Sequence, residues 1–486
     1  MQKYYEKFII YEKKLVCFIN KNFSIDGSMT NNMNEDNGID EKHNNITKLF
    51  GTDGIRGKAD SELFSENSLK KIVKAIWKWS LDDGLEMKAI VARDTRISSP
   101  KIINVLKKEF VKLFDEVIDV GVVPTPGLAY LSYLKKSIGI MITASHNSSD
   151  DNGIKVFLNG RKLSNAQEDA IEQFYYSDFD KVYKDLDKNQ IANISAIDNS
   201  LRKEFVNEYI EWLLKRAGQY NTRVVFDCAN GAFSGFGDSL LKKVFPNSII
   251  INNKPDGMNI NNNCGAMHPE GVCTAVVENN AELGVAFDGD GDRAVFCDEN
   301  GELMNGDYII GFFAKELSPN GVVYTEYSNK GLDLFLEEEG INYFRVECGD
   351  KNVAKEMDAR GFSFGGEESG HYIFSDNLLI GDGLVSAIKL IELLNKKKIK
   401  LSQLRRFKLL PQERVNVDVK EKKDFSLIEG VEEAIRRCYE ELGNKARVFL
   451  RYSGTEMKAR VLVEAEDKRD CERFAHYIAN LIKNSN

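Results

Sequence analysis

The chain lacks the features of a membrane-spanning or exported protein. Its 486 residues contain no apolar run near the ~18 residues that a bilayer span requires. The longest apolar stretch near the N-terminus, Leu15–Ile19, is short and has lysine on both sides. Residues 1–48 contain no arginine and do carry Glu and Asp, which argues against a mitochondrial type of transit peptide.

Paired cysteines are also missing. The eight cysteines are scattered, and none forms a C-x-x-C pair. In a chain of this length they indicate reduced thiols and a cytoplasmic location, not a disulfide framework. They are Cys17, Cys228, Cys264, Cys273, Cys297, Cys348, Cys438 and Cys471.

A basic surplus is absent, since the formal net charge is −9. General nucleic-acid binding requires a basic face, so neither a nucleic acid nor a membrane is expected as a partner. Any anionic substrate must instead be held by a local cluster of Arg, Lys and His, against the overall field of the protein.

The length predicts three or four domains. Residues 26–47 are polar and aperiodic, and we interpret residues 1–48 as a disordered leader. Strands and helices then alternate, which favours parallel or mixed sheets covered by helices. Predicted helices lie at 67–81, 99–114, 200–217, 307–317, 331–339 and 383–397, and predicted strands at 88–92, 138–142, 223–227, 283–287, 321–325 and 342–347.

The end of the chain has a different order of elements. Residues 414–419 alternate in period two, and a predicted helix (425–442), two strands (446–451 and 459–464) and a last helix (467–484) follow. This β-α-β-β-α order predicts a separate small α+β domain. The predicted domains are therefore 49–198, 199–300, 301–410 and 411–486.

A serine and a histidine follow the apolar strand Ile138–Ile142 in the segment Thr143-Ala-Ser-His-Asn-Ser-Ser-Asp-Asp-Asn-Gly-Ile-Lys155. A hydroxyl at the tip of a buried strand lies where α/β sheets usually keep their chemistry. Ser145 and His146 are candidate catalytic residues on this ground, although most Ser-His pairs are ordinary loop residues.

Three carboxylates alternate in Asp288-Gly-Asp-Gly-Asp-Arg293, directly after the apolar strand 283–287. Carboxylates this close repel one another unless a cation lies among them, and hard oxygen ligands suit Mg²⁺ or Ca²⁺. A solvated acidic turn is one alternative. An EF-hand loop with Glu299 at its last position is another, but its sixth position requires Gly and is Arg293, and a strand, not a helix, precedes it.

Three further segments carry polar clusters. Arg451-Tyr-Ser-Gly-Thr-Glu-Met-Lys-Ala-Arg460 offers two guanidinium groups and two hydroxyls, which suit a phosphate dianion. Gly366-Glu-Glu-Ser-Gly-His371 offers carboxylate, hydroxyl and imidazole groups that suit a sugar ring. Gly51-Thr-Asp-Gly-Ile-Arg-Gly57 combines glycines with Arg56.

These segments, in this order, resemble the α-D-phosphohexomutase superfamily over residues 49–466. The resemblance implies three mixed α/β domains and a C-terminal α+β domain around a central cleft. Phe50–Gly57, Gly121–Pro126 and Lys254–Glu270 are most similar to the branch that interconverts glucosamine 6-phosphate and glucosamine 1-phosphate.

The resemblance also implies a role for each site residue. Ser145 is expected to be the phosphoserine, and His146, Lys155, Arg56 and Arg293 to surround the transferred phosphoryl group. For Lys155 we expect a lowered pKa and a part in proton transfer. One Mg²⁺ is expected on Ser145, Asp288, Asp290 and Asp292, the sugar on Glu367, Ser369 and His371, and the second phosphate on Arg451, Ser453, Gly454, Thr455 and Arg460.

The implied substrate is a small phosphosugar, with a sugar 1,6-bisphosphate as activator, and a homodimer is compatible with the resemblance. Five positions depart from the family pattern. Ser148 and Met457 stand where proline is usual, Ala266-Met267 replaces Ser-Thr, and Lys351 stands where the branch often has arginine. A mutase of neutral hexose phosphates, a metal-dependent phosphatase and a catalytically silent phosphosugar-binding protein remain open alternatives.

Overall fold

The computed structural model describes residues 48–177, 199–376, 378–453 and 456–485. Apart from Lys48, the predicted leader lies outside these ranges. Four sheets succeed one another along the chain, and we name the four domains after them. The described residues contain no helix whose length and apolarity would suffice for crossing a bilayer. Seven cysteines are described, and all are free thiols.

The first domain contains a six-stranded mixed sheet in the order β1-β5-β4-β2-β3, with β6 paired to β5. β2 is parallel to β3 and β4, whereas β5 is antiparallel to β4 and β1. The strands are β1 (Ile55–Lys58), β2 (Lys88–Arg93), β3 (Glu116–Val122), β4 (Ile138–Ile142), β5 (Asp151–Leu158) and β6 (Arg161–Lys162). The helices are α1 (Glu66–Asp82), α2 (Ser99–Leu113), α3 (Thr125–Lys135) and α4 (Asn165–Tyr176).

Helices cover both faces of this sheet, which explains why β4 is apolar throughout. Ile138, Ile140 and Ile142 enter one hydrophobic cluster, and Met141, which points the other way, enters a second. The period of two thus places every side chain of the strand in a core. Ser145 follows three residues after this strand, so a buried element fixes the position of its loop.

The second and third domains are also mixed α/β layers. The second sheet has the order β11-β10-β9-β7-β8 and the third the order β13-β12-β14-β15. Their strands are β7 (Val224–Asp227), β8 (Ile249–Ile251), β9 (Leu283–Phe287), β10 (Ala294–Asp298), β11 (Leu303–Met304), β12 (Val322–Thr325), β13 (Tyr343–Val346), β14 (Phe364–Gly366) and β15 (Tyr372–Phe374). Their main helices are α5 (Asn199–Arg216), α6 (Glu270–Glu278), α7 (Gly306–Leu317), α8 (Lys330–Glu338), α9 (Asp350–Arg360) and α10 (Gly383–Lys397).

The fourth domain has a three-stranded antiparallel sheet in the order β16-β18-β17. Its elements are β16 (Gln412–Asp418), α11 (Val431–Leu442), β17 (Arg447–Tyr452), β18 (Lys458–Glu464) and α12 (Lys468–Asn484). The predicted β-α-β-β-α order is therefore confirmed, as are the mixed sheets of the other three domains.

One helix begins more than one residue away from its predicted start. The helix predicted from residue 425 begins at Val431, because Phe425–Leu427 form a separate short turn and Gly430, with a φ of 81°, interrupts the helical backbone. Ser99 precedes Pro100, a pattern typical of a helix N-cap followed by the first helical residue, but Ser99 is itself the first residue of α2. Its hydroxyl donates to Asp94 Oδ1 at 3.1 Å, so the side chain belongs to a buried polar network.

Candidate active site

Ser145 lies on the loop after β4 and is fully buried. Its backbone has a φ of 51°, in the left-handed region that non-glycine residues rarely adopt. The Ser145 amide donates to Thr143 Oγ1 at 2.9 Å, which helps to hold this conformation. The Ser145 hydroxyl donates to Asp288 Oδ2 at 2.7 Å, and it lies 3.4 Å from His146 Nδ1. The loop therefore brings a serine hydroxyl from the first domain to a carboxylate of the second.

Asp288, Asp290 and Asp292 follow β9 in residues 288–293, which we call the metal loop because the sequence predicts a cation there. Each of the three offers one carboxylate oxygen, and these atoms all lie within 4.8 Å of one another. All three side chains are buried, and the second oxygens Asp290 Oδ1 and Asp292 Oδ1 have no hydrogen-bond partner. Buried carboxylate oxygens normally have partners, so the unpaired oxygens fit a bound divalent cation.

The metal loop is fixed by its own backbone and by two other domains. The Gly291 and Arg293 amides donate to Asp288 Oδ1 at 3.0 and 3.2 Å. The Thr125 amide of the first domain donates to the Asp290 carbonyl at 2.8 Å, and the Gly383 amide of the third domain donates to the Gly291 carbonyl at 3.1 Å. The loop is thus held rigidly at the junction of three domains.

Burial and mutual repulsion act on these carboxylates. Burial raises the pKa of Asp288 well above its ordinary value, and the neighbouring charges of Asp292 and Asp290 raise it further. Burial also acts to raise the pKa of Asp292, but the neighbouring cationic groups, Lys155 first among them, together outweigh burial and lower that pKa. The EF-hand alternative is wrong, because Glu299 bonds to the Ser402 hydroxyl at 2.6 Å instead of joining the triad.

Lys155 projects from β5 into the carboxylate cluster. Its ammonium lies 2.9 Å from Asp290 Oδ2, 2.7 Å from Asp292 Oδ2 and 3.0 Å from Asp53 Oδ2. Burial alone would lower the pKa of Lys155, but the three carboxylates outweigh it and raise the pKa well above its ordinary value. The expectation of a lowered pKa was therefore wrong for this arrangement, in which Lys155 is a cation that offsets the charge of the cluster.

The remaining predicted groups around Ser145 are cationic or neutral. Arg56 pairs with Asp53, and Arg293 Nε lies 3.9 Å from Asp288 Oδ2. The buried Nε atoms of Arg56 and Arg293 both lack a hydrogen-bond partner, so each guanidinium retains a donor for an anion. Burial, followed by the charges of Arg293 and Arg56, lowers the pKa of His146 to about 3. The imidazole is therefore neutral at pH 7.

The predicted sugar-binding residues lie in the short connection between β14 and β15, but they occupy different surroundings. Glu367 Oε1 accepts from the Gly349 amide at 2.9 Å, and Ser369 is partly exposed. His371 is 2 % exposed, and its Nε2 lies 3.6 Å from Asp292 Oδ1. The side chain of His371 therefore lies beside the metal loop, while its backbone carbonyl accepts from the Glu367 amide at 2.8 Å.

The predicted phosphate-binding loop joins β17 to β18. Arg451 and Arg460 are direct partners in the register of these strands, and the Nε atom of each is buried without a hydrogen-bond partner. Like charges directly opposite each other on antiparallel strands are destabilising, so this pair suits an anion placed between the guanidinium groups. Ser453 is buried nearby, whereas Gly454 and Thr455 lie outside the described residues.

Sequence reasoning missed several residues of the site. Asp53 links Lys155 to Lys162, whose ammonium also lies 2.7 Å from Asp350 Oδ2. Asp53 stands in the same glycine-rich segment as Arg56, so the segment was a usable signal. The sequence carried no such signal for Lys162 and Asp350, because only the packing of the first domain against the third brings them together.

The residues that depart from the family pattern do not remove a contact of the triad. Met267 and Met457 are exposed, and Ser148 contributes only its carbonyl to the Ser145 loop. Lys351 donates to Glu168 Oε2 at 2.6 Å and so ties the third domain to the first.

Four family models match the chain in order. They describe the three alpha/beta/alpha domains and the C-terminal domain of phosphoglucomutase/phosphomannomutase, and they match residues 47–181, 203–301, 305–409 and 415–481. The chain therefore belongs to the phosphoglucomutase/phosphomannomutase family, the α-D-phosphohexomutase superfamily of isomerases.

The second sheet extends slightly beyond the predicted boundary at residue 300, since β11 is Leu303–Met304.

Curated relatives narrow the similarity further. The chain is 39 % identical over 441 residues to the phosphoglucosamine mutase of Aliarcobacter butzleri, covering 87 % of this chain and 97 % of that protein. It is 38 % identical over 452 residues to the phosphoglucosamine mutase of Clostridium beijerinckii, covering 90 % and 99 %.

Solved structures show the same fold at lower identity. A phosphoglucomutase/phosphomannomutase family protein from Burkholderia thailandensis aligns with a TM-score of 0.72 at 21 % identity, covering 90 % of this chain and 97 % of that one. The N-acetylphosphoglucosamine mutase of Aspergillus fumigatus, solved with GlcNAc-6P and magnesium, aligns with a TM-score of 0.58 at 19 % identity, covering 90 % and 96 %.

Proposed function

We propose that this protein is a Mg²⁺-dependent mutase that interconverts glucosamine 6-phosphate and glucosamine 1-phosphate. The observation that carries the proposal is the contact between the Ser145 hydroxyl and Asp288, within a buried triad that has unpaired carboxylate oxygens. The choice of an amino sugar rests on the relatives named phosphoglucosamine mutase. A cytoplasmic location and activation by a sugar 1,6-bisphosphate are parts of the same proposal.

Phosphorylated Ser145 would give its phosphoryl group to a hydroxyl of the bound sugar phosphate. The bond from phosphorus to Ser145 Oγ breaks as the bond to the sugar oxygen forms, and the product is a bound 1,6-bisphosphate. After the bisphosphate turns over, its other phosphoryl group returns to Ser145. His146, whose ring lies 3.4 Å from the Ser145 hydroxyl, would handle the proton of the reacting hydroxyl, whereas Lys155 would remain a cation beside Asp290.

The triad and the arginines would share the charge of the transferring group. Asp288, Asp290 and Asp292, with the phosphate on Ser145, would hold one Mg²⁺, which when bound would neutralise negative charge on the phosphoryl oxygens. Arg56 and Arg293 retain unused donors for the same group. Catalysis would then come from positioning and electrostatic stabilisation, as is general for phosphoryl transfer.

The far end of the substrate would be held by the other two loops. Arg451, Ser453 and Arg460, together with Gly454 and Thr455, would bind the phosphate that does not react. Glu367 and Ser369 would accept and donate hydrogen bonds at the sugar. Because the two ends of the sugar exchange places, one metal site and one phosphate loop suffice for both transfers.

A substrate panel tests the proposed function. The phosphates of glucosamine, glucose and mannose, each primed with its 1,6-bisphosphate, are assayed side by side with Mg²⁺. We expect strong preference for the glucosamine compound. Equal or better turnover of glucose or mannose phosphate would support the mutase of neutral sugars and direct attention to Ala266, Met267 and Lys351. Net release of inorganic phosphate without isomer exchange would indicate a phosphatase instead.

Substitution of Arg460→Gln should weaken substrate binding more than chemistry. One of two facing guanidinium groups is lost, so we expect KM to rise by about 10- to 100-fold. This rise corresponds to a loss of about 1.4 to 2.8 kcal/mol of binding free energy, as is typical of a charge-assisted contact. Steady-state kinetics on the preferred sugar phosphate measures the split between KM and kcat. Lys458→Gln, a charge change on the same strand, is the control. An unchanged KM in Arg460→Gln would remove this loop from substrate binding.

A further inference from the structure

Two side chains from different domains hold the backbone of the Ser145 loop. Arg96 Nη2 donates to the carbonyls of Ser145 and Asn147 at 3.0 and 2.8 Å. Asn261 Nδ2 donates to the same two carbonyls at 2.8 and 2.9 Å. Arg96 belongs to the first domain, as does Ser145, whereas Asn261 belongs to the second. We call Arg96 and Asn261 together the carbonyl clamp.

The carbonyl clamp uses the hydrogen-bonding capacity of both carbonyls. A carbonyl oxygen has two lone pairs, and each of these oxygens accepts from both clamp residues. Ser145 has the left-handed φ of 51°, which is unfavourable for a residue with a side chain, so the surrounding contacts must hold it there. Because the clamp touches only backbone, the Ser145 hydroxyl stays free to face Asp288.

Gly289 of the metal loop makes room for this arrangement. A Cβ atom on Gly289 would lie 2.6 Å from the Ser145 carbonyl oxygen and 2.8 Å from Asn261 Nδ2. Both distances are below van der Waals contact. The first glycine of the metal loop therefore serves the junction with the Ser145 loop.

We propose that Asn261 is a positioning residue for phosphoryl transfer, which it supports by fixing the Ser145 backbone against the metal loop across the boundary between the first and second domains. This proposal rests on the proposed function of Ser145. Asn261 does not touch the reacting atoms, so its effect must come through the placement of Oγ. Misplacement of a reacting group by about 1 Å can cost about 100-fold in rate.

The test compares Asn261→Ala and Asn261→Asp with Asn262→Ala, a control at the exposed neighbouring position. Single-turnover transfer from phosphorylated Ser145 to the sugar phosphate is measured together with kcat and KM. We expect Asn261→Ala to lower the transfer rate and kcat by about 10- to 100-fold with KM changed less than about twofold. Arg96 is unsuitable as the first variant, because it is fully buried and paired with Asp94.

The order of the two Asn261 variants separates positioning from packing. Aspartate has the shape of asparagine but presents an oxygen to two carbonyl oxygens, so Asn261→Asp should be slower than Asn261→Ala. A packing role predicts the opposite order. If Asn261→Asp fails to fold, a loss in Asn261→Ala that is confined to the transfer rate and kcat, with KM changed less than about twofold, decides for positioning.

The positioning role of Asn261 and the proposed function would be overturned by different results. The positioning role would be rejected if, in protein phosphorylated on Ser145, the kcat of Asn261→Ala were within about twofold of the kcat of Asn262→Ala. The proposed function would still stand. The proposed function itself would be rejected if peptide mass spectrometry of active wild-type protein showed no phosphate on Ser145 at any stage of turnover.

Discussion

Ser145→Ala should lose mutase activity by at least about 10³-fold, because removal of a covalent nucleophile typically costs several orders of magnitude in rate. The hydroxyl lies 2.7 Å from Asp288 Oδ2, and alanine removes both the phosphoryl carrier and this contact. The clamp and the Thr143 contact use only backbone atoms of residue 145, so the loop should keep its shape. The measurement is isomer exchange of glucosamine phosphate primed with the bisphosphate.

The control for this variant lies in the same loop. Ser148→Ala changes an exposed hydroxyl, while the Ser148 carbonyl still accepts from Arg96. We expect near wild-type turnover from Ser148→Ala. Comparable turnover in Ser145→Ala would show that another group carries the phosphoryl group.

Asp290→Asn should have the second largest effect, a fall in kcat of about 10²- to 10³-fold, since charge stabilisation by a catalytic metal is worth several kcal/mol. The substitution removes one of the proposed anionic ligands, and Asp290 Oδ1 is among the buried oxygens without a hydrogen-bond partner. The same variant should respond less to Mg²⁺ in thermal unfolding. A ligand that binds only the folded state raises its stability in proportion to the logarithm of ligand concentration over Kd, so weaker binding means a smaller rise in Tm.

Asp150→Asn is the matched control, because it removes one carboxylate from an exposed position of the first domain. We expect it to keep both the activity and the Mg²⁺-dependent rise in Tm. If Asp290→Asn kept the full Mg²⁺-dependent rise in Tm of the wild-type protein, the stabilising ion would bind elsewhere.

Elements with strong periodicity were predictable to within a residue or two. The strand 283–287 and the helix 383–397 have the predicted bounds, and β4 is the predicted strand before Ser145. These segments have apolar spacing that their packing satisfies, so local sequence and tertiary structure agree. The start of α11 was wrong by six residues, because a glycine with positive φ overrode an otherwise helical spacing.

The site was predictable where several functional residues stand together in one segment. Ser145, the Asp triad and the two arginines of the phosphate loop all lie in such segments. Arg96, Asn261 and Lys162 act through contacts across sequence separations of 49 to 188 residues, and a single sequence contains no signal for these. The predicted direction of the Lys155 pKa change was wrong for a related reason. The charges of Asp290, Asp292 and Asp53, all from segments distant in sequence, raise the pKa of Lys155 against the effect of burial.

The metal loop also has a consequence for local unfolding. Loops usually exchange their amide hydrogens quickly, because their backbone hydrogen bonds are few and exposed. Here the Gly291 and Arg293 amides donate to a buried carboxylate, and the loop carbonyls accept from two other domains. Because hydrogen bonds from two other domains hold the same loop, we expect exchange of these amides to require the breaking of contacts among three domains. The metal loop should therefore exchange as slowly as the strands of the core, so the reactive centre lies in one of the last parts of the molecule to open.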